Sequence, residues 1–148
     1  MLDSVGVGEG DLVFDLGSGD GRIVTTAAKR RGARGIGYEI DAQLVSQSRD
    51  RAQRDGVAEL VEIREQNMYA ADLRAATHVV VYLYPAALEK LKPQFAAMKP
   101  GAWIVSHHYE IPGATPEREL IVASKETGND HRVLLYKTPL STKRQTSH

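Results

Sequence analysis

One short loop, Asp15-Leu16-Gly17-Ser18-Gly19-Asp20-Gly21-Arg22, restricts what this chain can fold into more than any other segment. It follows Leu12-Val13-Phe14-Asp15-Leu16, a nearly continuous apolar run of the kind that forms a strand buried on both faces. It precedes a helical pattern in which Ile23, Ala27 and Ala28 share one face before Gly32 stops the helix. Glycines between a buried strand and a helix allow a tight turn and let backbone N–H groups approach a ligand closely. The spacing is Gly-x-Gly-x-Gly, not the Gly-x-Gly-x-x-Gly of dinucleotide-binding loops. Asp15 and Asp20 add two carboxylates that oppose a pyrophosphate, so the loop suits a ligand carrying a cationic amine or sulfonium. The plainer alternative is a tight βα turn with no ligand.

The remaining pattern continues the alternation. Gly35–Ile40 reads as a second strand, and Asp41 as the N-cap of a helix with its stripe at Leu44, Val45, Ser48 and Ala52, closed by Gly56. Leu60–Ile63, Val79–Leu83 and Ala102–Ser106 supply three more strands. Leu88, Leu91, Phe95 and Met98 repeat at helical spacing, with a break expected near Lys92 and a second short helix opened by Pro93. Glu119–Ser124 and Arg132–Lys137 are strand-like runs joined by a turn-rich linker at 126–130, which predicts an antiparallel hairpin. The fold class expected is α/β: a doubly wound, mostly parallel, Rossmann-like sheet ending in that hairpin. Residues 1–138 form a single domain in this reading, and 139–148 a polar tail expected to fray.

Composition removes several functions. Nineteen Lys and Arg balance nineteen Asp and Glu, so no basic excess supports nucleic-acid binding; Lys29, Arg30, Arg31 and Arg34 read as a solvated helix end. Cysteine is absent, which removes disulfides, thiolate metal sites and Cys nucleophiles. No apolar run reaches the roughly 18 residues of a membrane span, and the acidic start does not resemble a signal peptide. A soluble, cytoplasmic chain is expected.

Glu39 closes the second strand, 18 residues beyond Gly21, where an acid accepts hydrogen bonds from ribose hydroxyls. With Glu39 in place, the chain from Leu12 to Lys137 resembles the class I S-adenosylmethionine (SAM)-dependent methyltransferases. The resemblance implies SAM as cofactor, with S-adenosyl-L-homocysteine as product. It places Asp15, Gly17, Ser18, Gly19 and Gly21 in the first cofactor motif, Glu39 on the ribose, and Asn67 with Met68 at the adenine. Asn67 departs from the more usual Asp. GDLVFDLGSGDGRIV, Tyr82 to Pro85, Leu91-Lys92-Pro93, Met98 to Gly101 and Val105-Ser106-His107 are similar to a subgroup of protein-lysine methyltransferases related to those that methylate the ATP synthase c subunit. That subgroup implies a protein lysine as acceptor. Relatives carry a further N-terminal segment before Met1-Leu2-Asp3-Ser4-Val5, so an abbreviated start and a SAM-binding domain without turnover form an alternative reading.

Methyl transfer is an in-line displacement in which positioning and desolvation of the acceptor do much of the work. The fourth strand ends at Tyr82 and Tyr84, and Tyr82 is the candidate catalytic, acceptor-side residue. The Asn/Asp-Pro-Pro-Tyr/Phe run of methyltransferases acting on exocyclic amines is absent, as is the Asp expected of metal-dependent catechol-type enzymes. His107 and His108 point to opposite faces of a strand, and His78 and His131 have no partner at ligand spacing, so no metal site is expected. A small-molecule or RNA methyltransferase on the same fold is the runner-up. An NAD-dependent oxidoreductase is disfavoured by the displaced third glycine.

Overall fold

The computed structural model describes residues 5–123 and 130–142. The glycine loop lies between β1 (Leu12–Leu16) and α1 (Arg22–Arg31), and β2 (Arg34–Glu39) leads into α2 (Ala42–Arg54). β3 (Val61–Glu65) is followed by a 3-10 turn at Met68–Ala70, then by β4 (His78–Val81). Two short helices, α3 (Pro85–Lys90) and α4 (Lys92–Ala96), precede β5 (Trp103–His107). β6 (Ala114–Thr115), β7 (Arg118–Ala123), β8 (Asp130–Lys137) and β9 (Ser141–Thr142) complete the order.

Seven strands form one sheet in the order β3-β2-β1-β4-β5-β8-β7. β3 to β5 through β1 are parallel, and β8 enters antiparallel to β5 and β7. The doubly wound sheet with a reversed terminal hairpin is therefore as expected. The linker expected at 126–130 falls, except for Asp130, outside the described residues.

Strand alternation divides the core into two layers. Phe14, Leu16, Val79, Val81 and Ile104 face Leu88, Leu91 and Phe95 of the α3–α4 side. Val13, Val80 and Val105 face Ala27 of α1 together with Val5 and Val7. Asp15, two residues after Val13, shares the α1 face and arrives at the carboxyl end of β1. β1 and β4 are neighbours with Asp15 opposite Val80, so the switch point of the sheet, where such folds bind ligands, lies between them.

α1 sits close on β2 because Gly35 has no side chain. A Cβ there would lie 2.7 Å from Val24 Cβ, and one on Gly37 would lie 2.7 Å from Ser18 Oγ. α2 starts as expected, with Asp41 accepting from Gln43 and Leu44 N–H, and Pro93 sits in the first turn of α4.

Two features differ from the sequence reading. β4 stops at Val81, so Tyr82 and Leu83 leave the sheet, whereas the unbroken β-branched and aromatic run suggested a strand to Leu83. The start of the polar tail is tied down: Leu140 packs on the core, and Ser141 and Thr142 pair with Thr115 and Ala114. His78 is a structural histidine, its Nε2–H donating to the Val5 carbonyl at 2.9 Å. The start at Met1–Ser4 lies outside the described residues.

Gly35→Ala forces a Cβ against Val24 and is expected to cost about 1–3 kcal/mol, the range for overpacking a filled core. Urea denaturation checks this; a loss below about 0.5 kcal/mol, the range of a neutral surface change, contradicts the packing described.

Candidate functional site

The glycine loop is bonded to itself and to β2. Gly17 and Ser18 N–H both donate to the Tyr38 carbonyl at 2.9 Å, and Gly21 N–H to the Ser18 carbonyl at 3.0 Å. Gly19 N–H donates to Glu39 Oε1 at 2.9 Å. Arg22 N–H donates to Asp20 Oδ1. The sequence reading expected these N–H groups to face a ligand. Instead they hold the turn, and Gly17, Gly19 and Gly21 adopt positive φ of 78°, 57° and 77° to make it. Gly21 is the tightest of the three, since a Cβ there would lie 2.8 Å from Ser48 Cβ. Ser48 Oγ in turn donates to the Gly19 carbonyl at 2.9 Å, fixing the loop to α2.

With the N–H groups of Gly17, Ser18, Gly19, Gly21 and Arg22 occupied, the loop offers less to a phosphate and presents acceptors to a ligand. Asp15, Gly17, Gly19, Tyr82 and His107 line a cleft of about 250 Å³ at the carboxyl ends of β1, β4 and β5. Asp15 is 5% exposed. Its carboxylate has no hydrogen-bond or ion-pair partner among the described residues. Burial, followed by the charges of Glu39 and Asp20, pushes its pKa up to about 7. Ser18 Oγ is also buried without a partner. An unpartnered buried carboxylate inside a cleft fits a cationic group, and it is the feature that a ligand with an ammonium or sulfonium would satisfy. The larger hollow near Arg34, Arg49 and Glu62, about 1020 Å³ in volume, lies at the opposite ends of the strands and contains none of the expected site residues.

Glu39 is not a free carboxylate. Beyond Gly19, its Oε2 accepts from Ile40 and Asp41 N–H at 3.0 Å each. Three backbone donors hold it in one orientation. Gln66 N–H donates to the Glu39 carbonyl at 3.1 Å, which brings the end of β3 alongside. There Asn67 Oδ1 accepts from Tyr69 N–H at 2.9 Å, so its oxygen caps the 3-10 turn and its amide N–H groups remain to donate. Met68 lies on the same turn, held by Gln94 Nε2, which donates to the carbonyls of Met68 and Ala71 at 3.1 and 2.8 Å. Asn67 and Met68 are thus near Glu39 but outside the cleft that holds Asp15.

Two features escaped the sequence reading. Ile40, 73% exposed immediately after Glu39, offers an apolar surface on the Glu39 side; an apolar residue directly following a strand-end acid was the available signal. The other is a ring contact of His131. Its ring stacks on His107 at 5.0 Å, because β8 pairs antiparallel with β5, a register no spacing rule predicts. Among the described residues no group of three His, Asp or Glu side chains is arranged to hold a metal ion, and no helix is long and apolar enough to cross a membrane.

A doubly wound sheet with a reversed terminal hairpin and an acceptor-lined glycine loop at its switch point defines a class of cofactor-binding α/β folds, and comparison with known proteins resolves which. The ANTKMT methyltransferase domain family matches residues 15–118. A protein-lysine N-methyltransferase of Saccharolobus islandicus is 37% identical over 139 residues, covering 92% of this chain and 84% of that protein. An adenine nucleotide translocase lysine N-methyltransferase of Mus musculus is 38% identical over 106 residues, covering 70% of this chain and 46% of that protein. Several other curated relatives are likewise longer than the region this chain matches, which is about half or less of their length. Among solved structures, a Salinibacter ruber protein described as an RNA methyltransferase, in complex with S-adenosyl-L-homocysteine, has a TM-score of 0.85 at 38% identity, covering 99% of this chain and 93% of that one. The chain belongs to the ANTKMT methyltransferase domain family and is a SAM-dependent methyltransferase.

The Asp15 pKa carries a stability signature. A carboxyl raised from 3.8 to about 7 on folding keeps its proton in the native state while the unfolded chain loses it. Stability therefore falls as pH rises from about 4 to about 7. Asp15→Asn removes that slope and, without cofactor, is expected to be more stable than the parent at pH 8 by on the order of 2 kcal/mol. Denaturation of both chains at pH 5 and pH 8 checks this; an equal or lower stability of Asp15→Asn at pH 8 contradicts it.

Proposed function

We propose that this chain transfers the methyl group of SAM to the ε-amine of a protein lysine. The observation that carries the donor half is the buried, unpartnered carboxylate of Asp15 in a cleft whose loop N–H groups are already bonded. SAM supplies an electrophilic methyl on a cationic sulfur and carries an amine, a carboxylate, a ribose and an adenine but no phosphate. Asp15 and the Gly17–Gly19 turn face the ammonium of its zwitterionic amino-acid end, with Ser18 and Gly21 shaping that turn. Glu39, fixed by three N–H groups, has remaining acceptor capacity on Oε1 for ribose hydroxyls. Ile40 gives the adenine an apolar face, and Asn67 with the Met68 N–H gives it donors.

The acceptor half rests on Tyr82 and on the relatives. Tyr82 is 57% exposed at the rim of the cleft, opposite the loop. An aromatic wall there lowers the local dielectric, which favours the uncharged, nucleophilic form of an amine, and its ring face attracts the cationic sulfur. The relatives named above as lysine methyltransferases support a lysine. A second reading, RNA as acceptor, is favoured by the description of the Salinibacter ruber protein; the balanced charge of nineteen cations and nineteen anions argues against it.

Calorimetry with SAM and radiolabel transfer to polylysine or to total RNA separate these readings. SAM is expected to bind, and Asp15→Asn to weaken it by about tenfold or more, as for loss of a hydrogen bond between charged groups. Label is expected in polylysine and not in RNA, with Tyr82→Ala lowering transfer about tenfold or more while binding of S-adenosyl-L-homocysteine, which carries no sulfonium, stays intact. Label in RNA alone contradicts the lysine assignment, and absence of SAM binding contradicts the assignment of this cleft to the donor.

A further inference from the structure

Three imidazoles and a phenol meet at the acceptor side of the cleft. His107 and His108 stack at 4.9 Å between centroids with 26° between planes. His131 stacks on His107 at 5.0 Å and 18°, and lies 5.5 Å from His108. Tyr82 meets both rings of the β5 pair edge-on, His107 at 4.7 Å and His108 at 5.3 Å. His108 holds a positive φ of 72°, a conformation uncommon outside glycine, and that turn is what places consecutive histidines in one cluster. The expectation that His107 and His108 face apart fails for this reason. The rings stack instead of converging on a point, so the cluster is not a metal site.

The cations around the cluster are already paired with acids, which disfavours an anionic acceptor. Asp15, Asp20 and Arg22 line the same cleft as His107, with Arg22 held by Asp20 at 3.3 Å. Arg132, next to His131 on β8, is engaged by Glu110 at 3.0 Å and by Glu119. Tyr82, just past the end of β4, supplies aromatic surface, and Tyr109 flanks His108 at 6.3 Å. Burial, then the neighbouring His108 and His131, push the His107 pKa down to about 4, so this ring is uncharged at neutral pH. An uncharged imidazole keeps one ring nitrogen as an acceptor.

We propose that His107, braced by His108 and His131 against Tyr82, is the acceptor subsite, built for a primary amine on an aliphatic stem. The proposal rests on the methyltransferase reading of the cleft and adds the groups that select the acceptor. The stem lies along the exposed ring of Tyr82, an amine N–H donates to the free nitrogen of His107, and Arg132, already held by Glu110 and Glu119, offers no free charge to a carboxylate or phosphate. His108 and His131 are positioning residues: they fix the plane of the His107 ring and keep it uncharged.

Side-chain NMR of the S-adenosyl-L-homocysteine-loaded protein tests this with n-butylammonium as probe and sodium butyrate as its anionic counterpart. The His107 imidazole and Tyr82 ring resonances are expected to shift saturably with butylammonium and not with butyrate. In His107→Leu the Tyr82 shift is expected to need about tenfold or more amine, with adenosylhomocysteine affinity within about threefold of the parent. His107→Gln, which keeps an uncharged acceptor, is expected to recover most of the amine response. No saturable shift at His107, an equal response to butyrate, or loss of adenosylhomocysteine affinity in His107→Leu overturns the assignment. Failure of the donor reading is distinct: adenosylhomocysteine then does not bind the parent chain, and butylammonium added to the free protein still decides the subsite.

Discussion

Everything at the site depends on how β2 ends. The Tyr38 carbonyl takes the N–H groups of Gly17 and Ser18, and the Glu39 carboxylate takes those of Gly19, Ile40 and Asp41. Those bonds satisfy backbone donors that would otherwise be left unpaired as the chain leaves a buried strand. They also decide the chemistry that remains. A glycine loop with free N–H groups is an anion cradle; this one has its three glycine N–H groups occupied and exposes acceptors. One carboxylate thereby rigidifies the turn and turns the loop towards cationic ligands.

The close approach of α1 and α2 to the sheet follows from the same economy of side chains. Gly35 and Gly37 admit Val24 and Ser18, and Gly21 admits Ser48, whose hydroxyl bonds the Gly19 carbonyl. Asp15 is buried at the end of β1 beside this packed loop. Its carboxyl is destabilised in the free protein, and a cationic ligand relieves a cost that folding imposes. This is local strain of an electrostatic kind, held at a functional site by the surrounding packing.

The glycine turn between β1 and α1, the position of Glu39 at the end of β2 and the mostly parallel sheet were legible because each rests on local signals: apolar runs, turn glycines and strand-end acids. β4 was read two residues too long because periodicity cannot separate a strand from an extended exit when the residues are all β-formers. The partnership of His131 with His107 was illegible for a different reason. It depends on antiparallel register between strands distant in sequence and on the positive φ of His108, neither of which leaves a mark on composition. The pairing of Ser141 and Thr142 with Thr115 and Ala114 was hidden in the same way, behind a polar stretch with no strand propensity.

If Asp15 is the charge that recognises the donor, proton linkage registers it directly. With a pKa of about 7 in the free protein, roughly half of the Asp15 carboxyls carry a proton at pH 7. A cation placed beside the carboxylate lowers that pKa and expels the proton. Calorimetric titration with SAM at pH 7, in buffers of different ionisation enthalpy, is expected to show proton release that disappears in Asp15→Asn. Proton uptake, or no exchange in the parent chain, would contradict this account of the site.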